Sequence, residues 1–140
     1  LMLGAMDGLR RGEIAQVHTD DLMRDLDGWS LRVHGKGRRE RIVPLRPEVA
    51  AEILRRPSGW VFPGQINGHL SPARVGEIAS EAMAGAASTH QLRHRFATAV
   101  YSGSRDLLLT QRLLGHAKPE TTMGYVALAD TGRGALQWVA

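Results

Sequence analysis

With 140 residues, 43% of them hydrophobic and 23% charged, the chain is long enough for one core burying roughly two-thirds of its unfolded surface, and its composition is that of a soluble globular domain. The absence of cysteine excludes a disulfide framework, a thiol nucleophile and a zinc-thiolate site. The formal charge of +4 is concentrated: Arg32, Lys36, Arg38, Arg39, Arg41 and Arg46 face the single acid Glu40, a net +5, while the remainder holds 12 basic and 13 acidic residues. Such a footprint suits a polyanion, although a solvated basic hairpin would carry the same charge.

No apolar run approaches the roughly 20 residues of a membrane span. The opening Leu1 to Met6 is short and lacks the basic flank of a signal peptide, so a cytoplasmic protein without membrane contact is expected. Residues 12 to 18 read as a short helix, followed by an acidic turn with Asp20, Asp21, Asp25 and Asp27. Trp29 to Val33 and Arg39 to Val43 have strand character and flank the Gly35 to Gly37 turn, giving a β-hairpin with Lys36 at or beside its tip. Pro44 and Pro47 close the second strand, and Pro47 suits the first position of a helix through Val49, Ile53 and Leu54. Gly59 to Pro63 reads as a third short strand before a Gly/Asn loop through Gly68.

The second half reads as helical. Ser71 caps a helix that opens with Pro72 and carries Val75, Ile78, Ala79, Ala82 and Met83 as a buried stripe, ending at Gly85. Thr89 caps a helix from His90 to about Tyr101 whose inward face is Leu92, Phe96, Ala99 and Val100. Ser104 caps the next, which Gly115 stops, leaving His116 at a helix end. Thr121 and Thr122 open a short helix carrying Tyr125, and an amphipathic segment runs over 132–139. The fold class expected is α+β, mainly α-helical, with a small three-stranded antiparallel sheet on one edge.

Some of these residues carry chemistry. Arg10 and Glu13 are helix-surface neighbours if the helix reaches that far, where they form either an exposed ion pair worth under about 1 kcal/mol or an oriented guanidinium. Arg11 reads as surface. Lys36 lies between two glycines, which keep bulk from an approaching strand, and is equally a plain turn lysine. His90 and Arg93 share a helix face, as two groups on one anion must, while His94 competes for the same role. His90 and His94 have the spacing of a metal pair, but no carboxylate lies between them and no third ligand is near, so no metal is expected. Tyr101 competes with Tyr125 as a nucleophile, although its place beside Phe96 and Ala97 is that of a core tyrosine. Arginine forks, histidines and a tyrosine hydroxyl together suit chemistry on a phosphodiester.

Three stretches resemble the catalytic domain of the tyrosine recombinases, the phage-integrase family of DNA strand-exchange enzymes. They are Gly8-Leu9-Arg10-Arg11-Gly12-Glu13-Ile14, Gly35-Lys36-Gly37 with Arg41-Ile42-Val43-Pro44-Leu45, and the region from His90-Gln91-Leu92-Arg93-His94 through Leu113-Leu114-Gly115-His116 to Tyr125. All six places of the family pattern are filled in order. The resemblance implies that Arg10, Lys36, His90, Arg93, His116 and Tyr125 are catalytic, with Glu13 supporting. Tyr125 would attack a DNA phosphate to give a 3′-phosphotyrosyl link and a free 5′-hydroxyl, Arg10, Arg93 and His116 would stabilise the transition state, His90 would assist deprotonation of Tyr125, and Lys36 would protonate the leaving oxygen. Arg38, Arg39 and Arg41 are expected to grip DNA phosphates.

The resemblance further implies no cofactor, double-stranded DNA as partner, and other protomers in a synaptic tetramer. It makes residues 1–140 a single catalytic domain, cut from a parent with a separate N-terminal DNA-binding domain, and residues 127–140 a tail that packs on its own domain or on a neighbour. DNA integration by a phage or other mobile element is the expected setting. A non-catalytic DNA-binding module and type IB topoisomerase-like relaxation are the alternatives.

Overall fold

The computed structural model describes residues 1–115. The helix expected to open at Thr121 and Thr122, Tyr125, His116 and the expected tail segment 127–140 lie outside the described residues. Two short helices, α1 (Met2–Ala5) and α2 (Arg11–Ala15), precede an antiparallel sheet of β1 (Leu22–Asp25), β2 (Gly28–His34) and β3 (Glu40–Leu45), followed by α3 (Pro47–Leu54). After β4 (Pro63–Ile66) the chain continues as α4 (Pro72–Ala82), α5 (Thr89–Ser104) and α6 (Leu107–Leu114). This is the expected α+β class. No helix among the described residues is long and apolar enough to cross a membrane.

The sheet has the order β1-β2-β3, with Leu22 opposite Leu31 and Trp29 opposite Leu45. Its third strand is therefore β1, inside the stretch expected to be an acidic turn, and not the segment from Gly59 to Pro63. The acids masked it: Asp25 ends the strand, and its Oδ1 accepts from the backbone N–H groups of Asp27 (2.9 Å) and Gly28 (3.1 Å), an Asx turn that makes Leu22–Asp25 one arm of a hairpin. The segment from Gly59 leans on residues 17–19 instead, with the N–H of Val61 donating to the carbonyl of Val17 (2.9 Å) and one bridge between His18 and Trp60. Val17 is thus drawn out of the helix expected over 12–18. Pro44 lies within β3 rather than closing it, as an edge strand allows.

Side chains alternate along the sheet. Leu31 and Val33 of β2, and Val43 and Leu45 of β3, are buried together with Leu9, Ile14, Val49, Ile53 and Val61 in the main core. Truncating the fully buried Leu31 to alanine should cost about 2–5 kcal/mol. A satellite cluster of Ala97 and Leu114, flanked by Phe96, joins α5 to α6.

The inward face of α5 differs from the expected one. Its buried residues are Thr89, Arg93, Ala97 and Thr98, while Leu92, Phe96, Ala99 and Val100 are half-buried beside them. Apolarity is the wrong guide here because buried carbonyls on two neighbouring segments draw Arg93 to the centre of the face. The caps shift by one or two residues. Ser88 starts α5 in a reciprocal capping box with Gln91, and Asp106 starts α6 by accepting from the N–H of Leu109 (2.9 Å). Gly115 ends α6 in the left-handed conformation (φ 64°), as expected.

Candidate active site

An open cleft of about 1130 Å³ runs between α2, the β2–β3 hairpin, the start of α5 and the end of α6. Arg10, Glu13, Lys36, Arg39, Arg41, His90 and Arg93 all line it, as does Gly115. The expected catalytic residues Arg10, Lys36, His90 and Arg93 and the supporting Glu13 therefore meet at one place, although α2, the hairpin and α5 lie far apart in the chain.

Arg10 is the N-cap of α2, where its extended backbone leaves the first helical N–H groups unmet. Glu13 folds back on it: the backbone N–H of Arg10 donates to Glu13 Oε2 (2.8 Å) and Arg10 Nη1 donates to Oε1 (3.0 Å). The Glu13 side chain is only 3% exposed, whereas that of Arg10 is 44% exposed. Burial alone would push the Glu13 carboxyl upward. The hydrogen bonds from Arg41 and from the Arg10 backbone, with both guanidinium charges, outweigh it and hold the group ionised below its ordinary value.

Arg93 is almost fully buried. Its guanidinium donates to the carbonyl of Gly8 through Nη1 and to that of Leu114 through Nη2 (2.7 Å). Gly8 has φ 67°, and a Cβ there would fall 2.2 Å from the Phe96 ring, so the close passage of this loop over α5 requires glycine.

His90, in the first turn of α5, is exposed and faces the cleft. His94 is half-buried and does not line the cleft, and the ring centroids are 6.4 Å apart. Burial first, and the neighbouring His90 second, hold His94 below the usual histidine value, which favours a neutral imidazole. Lys36 opens a 3-10 turn (Lys36–Arg38) that reverses through Gly37 (φ 72°) and Arg38 (φ 58°), closed by the Gly35 N–H donating to the Arg39 carbonyl (2.7 Å). Lys36, Arg38 and Arg39 are exposed, and Lys36 and Arg39 face the cleft.

Arg41 departs from the role expected of it. Rather than standing outward to grip DNA, its side chain is 15% exposed and forks onto Glu13, with Nη1 to Oε1 at 2.7 Å and Nη2 to Oε2 at 3.1 Å. Its Nε donates to the Leu113 carbonyl (3.1 Å). The strand register carried the signal: Arg41 has the parity of Val43 and Leu45, both buried, and therefore points inward.

Two further residues escaped the sequence reading. Arg11 is exposed but lines the cleft. His34, at the end of β2, lies between two carboxylates, with Nε2 2.7 Å from Asp21 Oδ2 and Nδ1 3.1 Å from Glu40 Oε1. It thereby braces the base of the Lys36 hairpin. Its place immediately before Gly35-Lys36-Gly37 was the available clue.

The model of the phage integrase family matches residues 1–131. Tyrosine recombinase XerD of Caulobacter vibrioides is 38% identical over 142 residues, covering 87% of this chain and 46% of that protein. Among solved structures, an integrase from mycobacterium phage Brujita superposes with a TM-score of 0.71 at 35% identity, over 82% of this chain and 41% of its own. The XerH site-specific recombinase bound to its difH substrate in a pre-cleavage complex gives 0.69 at 25% identity, over 89% and 40%. The chain thus spans less than half the length of these relatives.

Proposed function

The chain belongs to the phage integrase family, and on that premise we propose that it is the catalytic domain of a tyrosine-type site-specific DNA recombinase. The observation that carries the reading is the convergence of Arg10, Arg93, Lys36 and His90 on one cationic cleft beside the end of α6. His116 follows that end directly and Tyr125 comes nine residues later, both entering on the sequence pattern.

In this reading the scissile phosphate of double-stranded DNA sits in the cleft. The Tyr125 hydroxyl attacks phosphorus as His90 assists removal of its proton, the bond to the 5′ oxygen breaks, and Lys36 protonates the departing oxygen. The products are a 3′-phosphotyrosyl link and a free 5′-hydroxyl. A 5′-hydroxyl from a partner strand then reverses the step, so the bond energy is conserved in the covalent link. Charge building on the non-bridging oxygens is met by Arg10 and Arg93, with His116 as a third donor, and each such donor is typically worth about 10²- to 10³-fold in rate. Glu13 orients Arg10. Lys36 suits the acid role because its ammonium stands on a long flexible side chain at an exposed hairpin turn, from which it can reach the leaving group. Arg38 and Arg39, exposed on the same hairpin, take flanking phosphates.

The parent protein would carry a separate DNA-binding domain and act in the cytoplasm as a synaptic tetramer of protomers, consistent with the length of its relatives. Incubating the parent with a nicked duplex of its recombination site should trap a covalent protein–DNA adduct. Tyr125→Phe should abolish it while DNA affinity stays. An adduct that survives in Tyr125→Phe, or disappears in folded Tyr101→Phe instead, would refute the assignment.

A further inference from the structure

Arg41 lines the cleft, but its guanidinium is engaged by the Glu13 carboxylate and the Leu113 carbonyl, partners that suggest a task distinct from phosphate binding. The Glu13 carboxylate accepts four hydrogen bonds, two from the Arg41 fork, one from the Arg10 side chain and one from the Arg10 backbone. The two-pronged partner is the half-buried Arg41 guanidinium, while the single-pronged one is that of the more exposed Arg10. A buried carboxylate needs a counter-ion. If Arg41 did not supply it, Glu13 would lean on Arg10 and cancel the charge that Arg10 offers to an anion.

A second set of hydrogen bonds concerns the end of α6, whose last carbonyls have no intrahelical partner. Arg41 Nε takes that of Leu113, while Arg93 Nη2 and Arg10 Nη1 take that of Leu114 at 2.7 and 3.4 Å. The helix stop rests on the same guanidinium: a Cβ on Gly115 would fall 2.7 Å from Arg41 Nη1.

We propose that Arg41 is a positioning residue for strand cleavage, the counter-ion of Glu13 that leaves Arg10 free for the scissile phosphate and the clamp that seats the end of α6 on the site. The proposal rests on the reading of the cleft as a phosphate site.

Inorganic phosphate titrated into the 140-residue chain, followed by NMR of the arginine Nε–H groups, separates the two ideas. Arg41→Ala should weaken phosphate binding about tenfold, the size of one charge-assisted hydrogen bond, and Arg41→Lys, which keeps the charge without the fork, should fall between. Adding Glu13→Gln to either variant should restore most of the affinity, since no carboxylate then competes for Arg10. Arg56→Ala removes the same charge from an exposed position just beyond the end of α3 and should leave the affinity at the wild-type value. Where Arg41→Ala does not fold, the Arg41→Lys pair carries the same comparison. A folded double variant no better than its Arg41 parent, or an equal weakening in Arg56→Ala, overturns the proposal. A wild-type chain whose phosphate binding is indifferent to Arg10→Ala overturns instead the reading of the cleft, and the proposal with it.

Discussion

Arg10 and Arg93 donate to the same acceptor, the carbonyl of Leu114, at 3.4 and 2.7 Å. A helix C-terminus carries partial negative charge on its unmet carbonyls, so two guanidiniums are held there before any substrate arrives. Their burial differs, and that sets different expectations for their removal. Arg93→Ala takes its donor from the buried carbonyl of Gly8, leaves that of Leu114 with the 3.4 Å bond from Arg10, and should cost roughly 2–4 kcal/mol of stability, as expected when buried acceptors lose a charged donor. Arg10→Ala keeps the backbone N–H bond to Glu13 and should cost under about 1 kcal/mol. Urea unfolding distinguishes them, and equal destabilisation would show that Arg93 is not structurally committed.

Asp7 gives the stability a pH dependence of unusual sign. Its carboxyl is buried, Oδ2 has no hydrogen-bond partner, and burial pushes it up to about 7 against the opposing pull of Arg46. Below the ordinary aspartate value of 3.8 the group is protonated folded or unfolded and costs nothing. Between there and about 7 the folded state holds a proton that the unfolded state releases, so stability falls as pH rises, and above that the cost is complete. Glu13, held below its ordinary value, acts in the opposite sense: its contribution is present above the ordinary glutamate range and is lost as pH falls through its lowered value. Asp7→Asn should abolish the decline from Asp7, an effect of roughly 2–4 kcal/mol, and Arg46→Ala should deepen it. An unchanged stability difference between about pH 4 and pH 7.5 in Asp7→Asn would assign the slope to other groups.

Gly8→Ala should destabilise the protein by more than about 2 kcal/mol, because it adds a clash with Phe96 to a backbone conformation that alanine avoids. The companion change Phe96→Leu should recover only the steric part. Full recovery would mean that the positive φ costs nothing here.

Helices and the hairpin were legible from punctuation: Pro47, Ser71-Pro72 and Gly115 mark element ends that the backbone respects. The order of the site residues was legible too, since Arg10, Lys36, His90 and Arg93 reach one cleft. What local sequence could not show is the pairing of distant partners. Arg41 and Glu13 are 28 positions apart and Arg93 and Gly8 are 85 apart, so neither the bridging of Glu13 by two guanidiniums nor the burial of Arg93 leaves a periodic trace. The strand at Leu22–Asp25 was hidden for another reason: four residues are too few for alternation to stand out among acids.

Excess chelator should leave cleavage by the parent protein unchanged. In the proposed mechanism Arg10 and Arg93 would bring to the phosphate the positive charge that a divalent ion would otherwise supply. Loss of cleavage in EDTA, restored by magnesium, would place the protein among metal-dependent nucleases.

Lys36, Arg38 and Arg39 share one exposed turn yet should fail differently when removed. Arg38→Ala with Arg39→Ala should weaken binding to any duplex and flatten its salt dependence, by roughly 0.9 in the log–log slope for each phosphate no longer neutralised. Lys36→Ala should leave affinity nearly unchanged and slow cleavage by about 10²- to 10⁴-fold, the range expected when a general acid is removed. A substrate with sulfur in place of the leaving 5′ oxygen departs with little need of a proton. It should therefore restore cleavage to Lys36→Ala and leave Arg10→Ala impaired, because in the proposed mechanism the arginine would act on the non-bridging oxygens, which the sulfur does not change. Equal impairment of both variants on that substrate would make Lys36 a binding residue and require the proton to come from another group in the cleft.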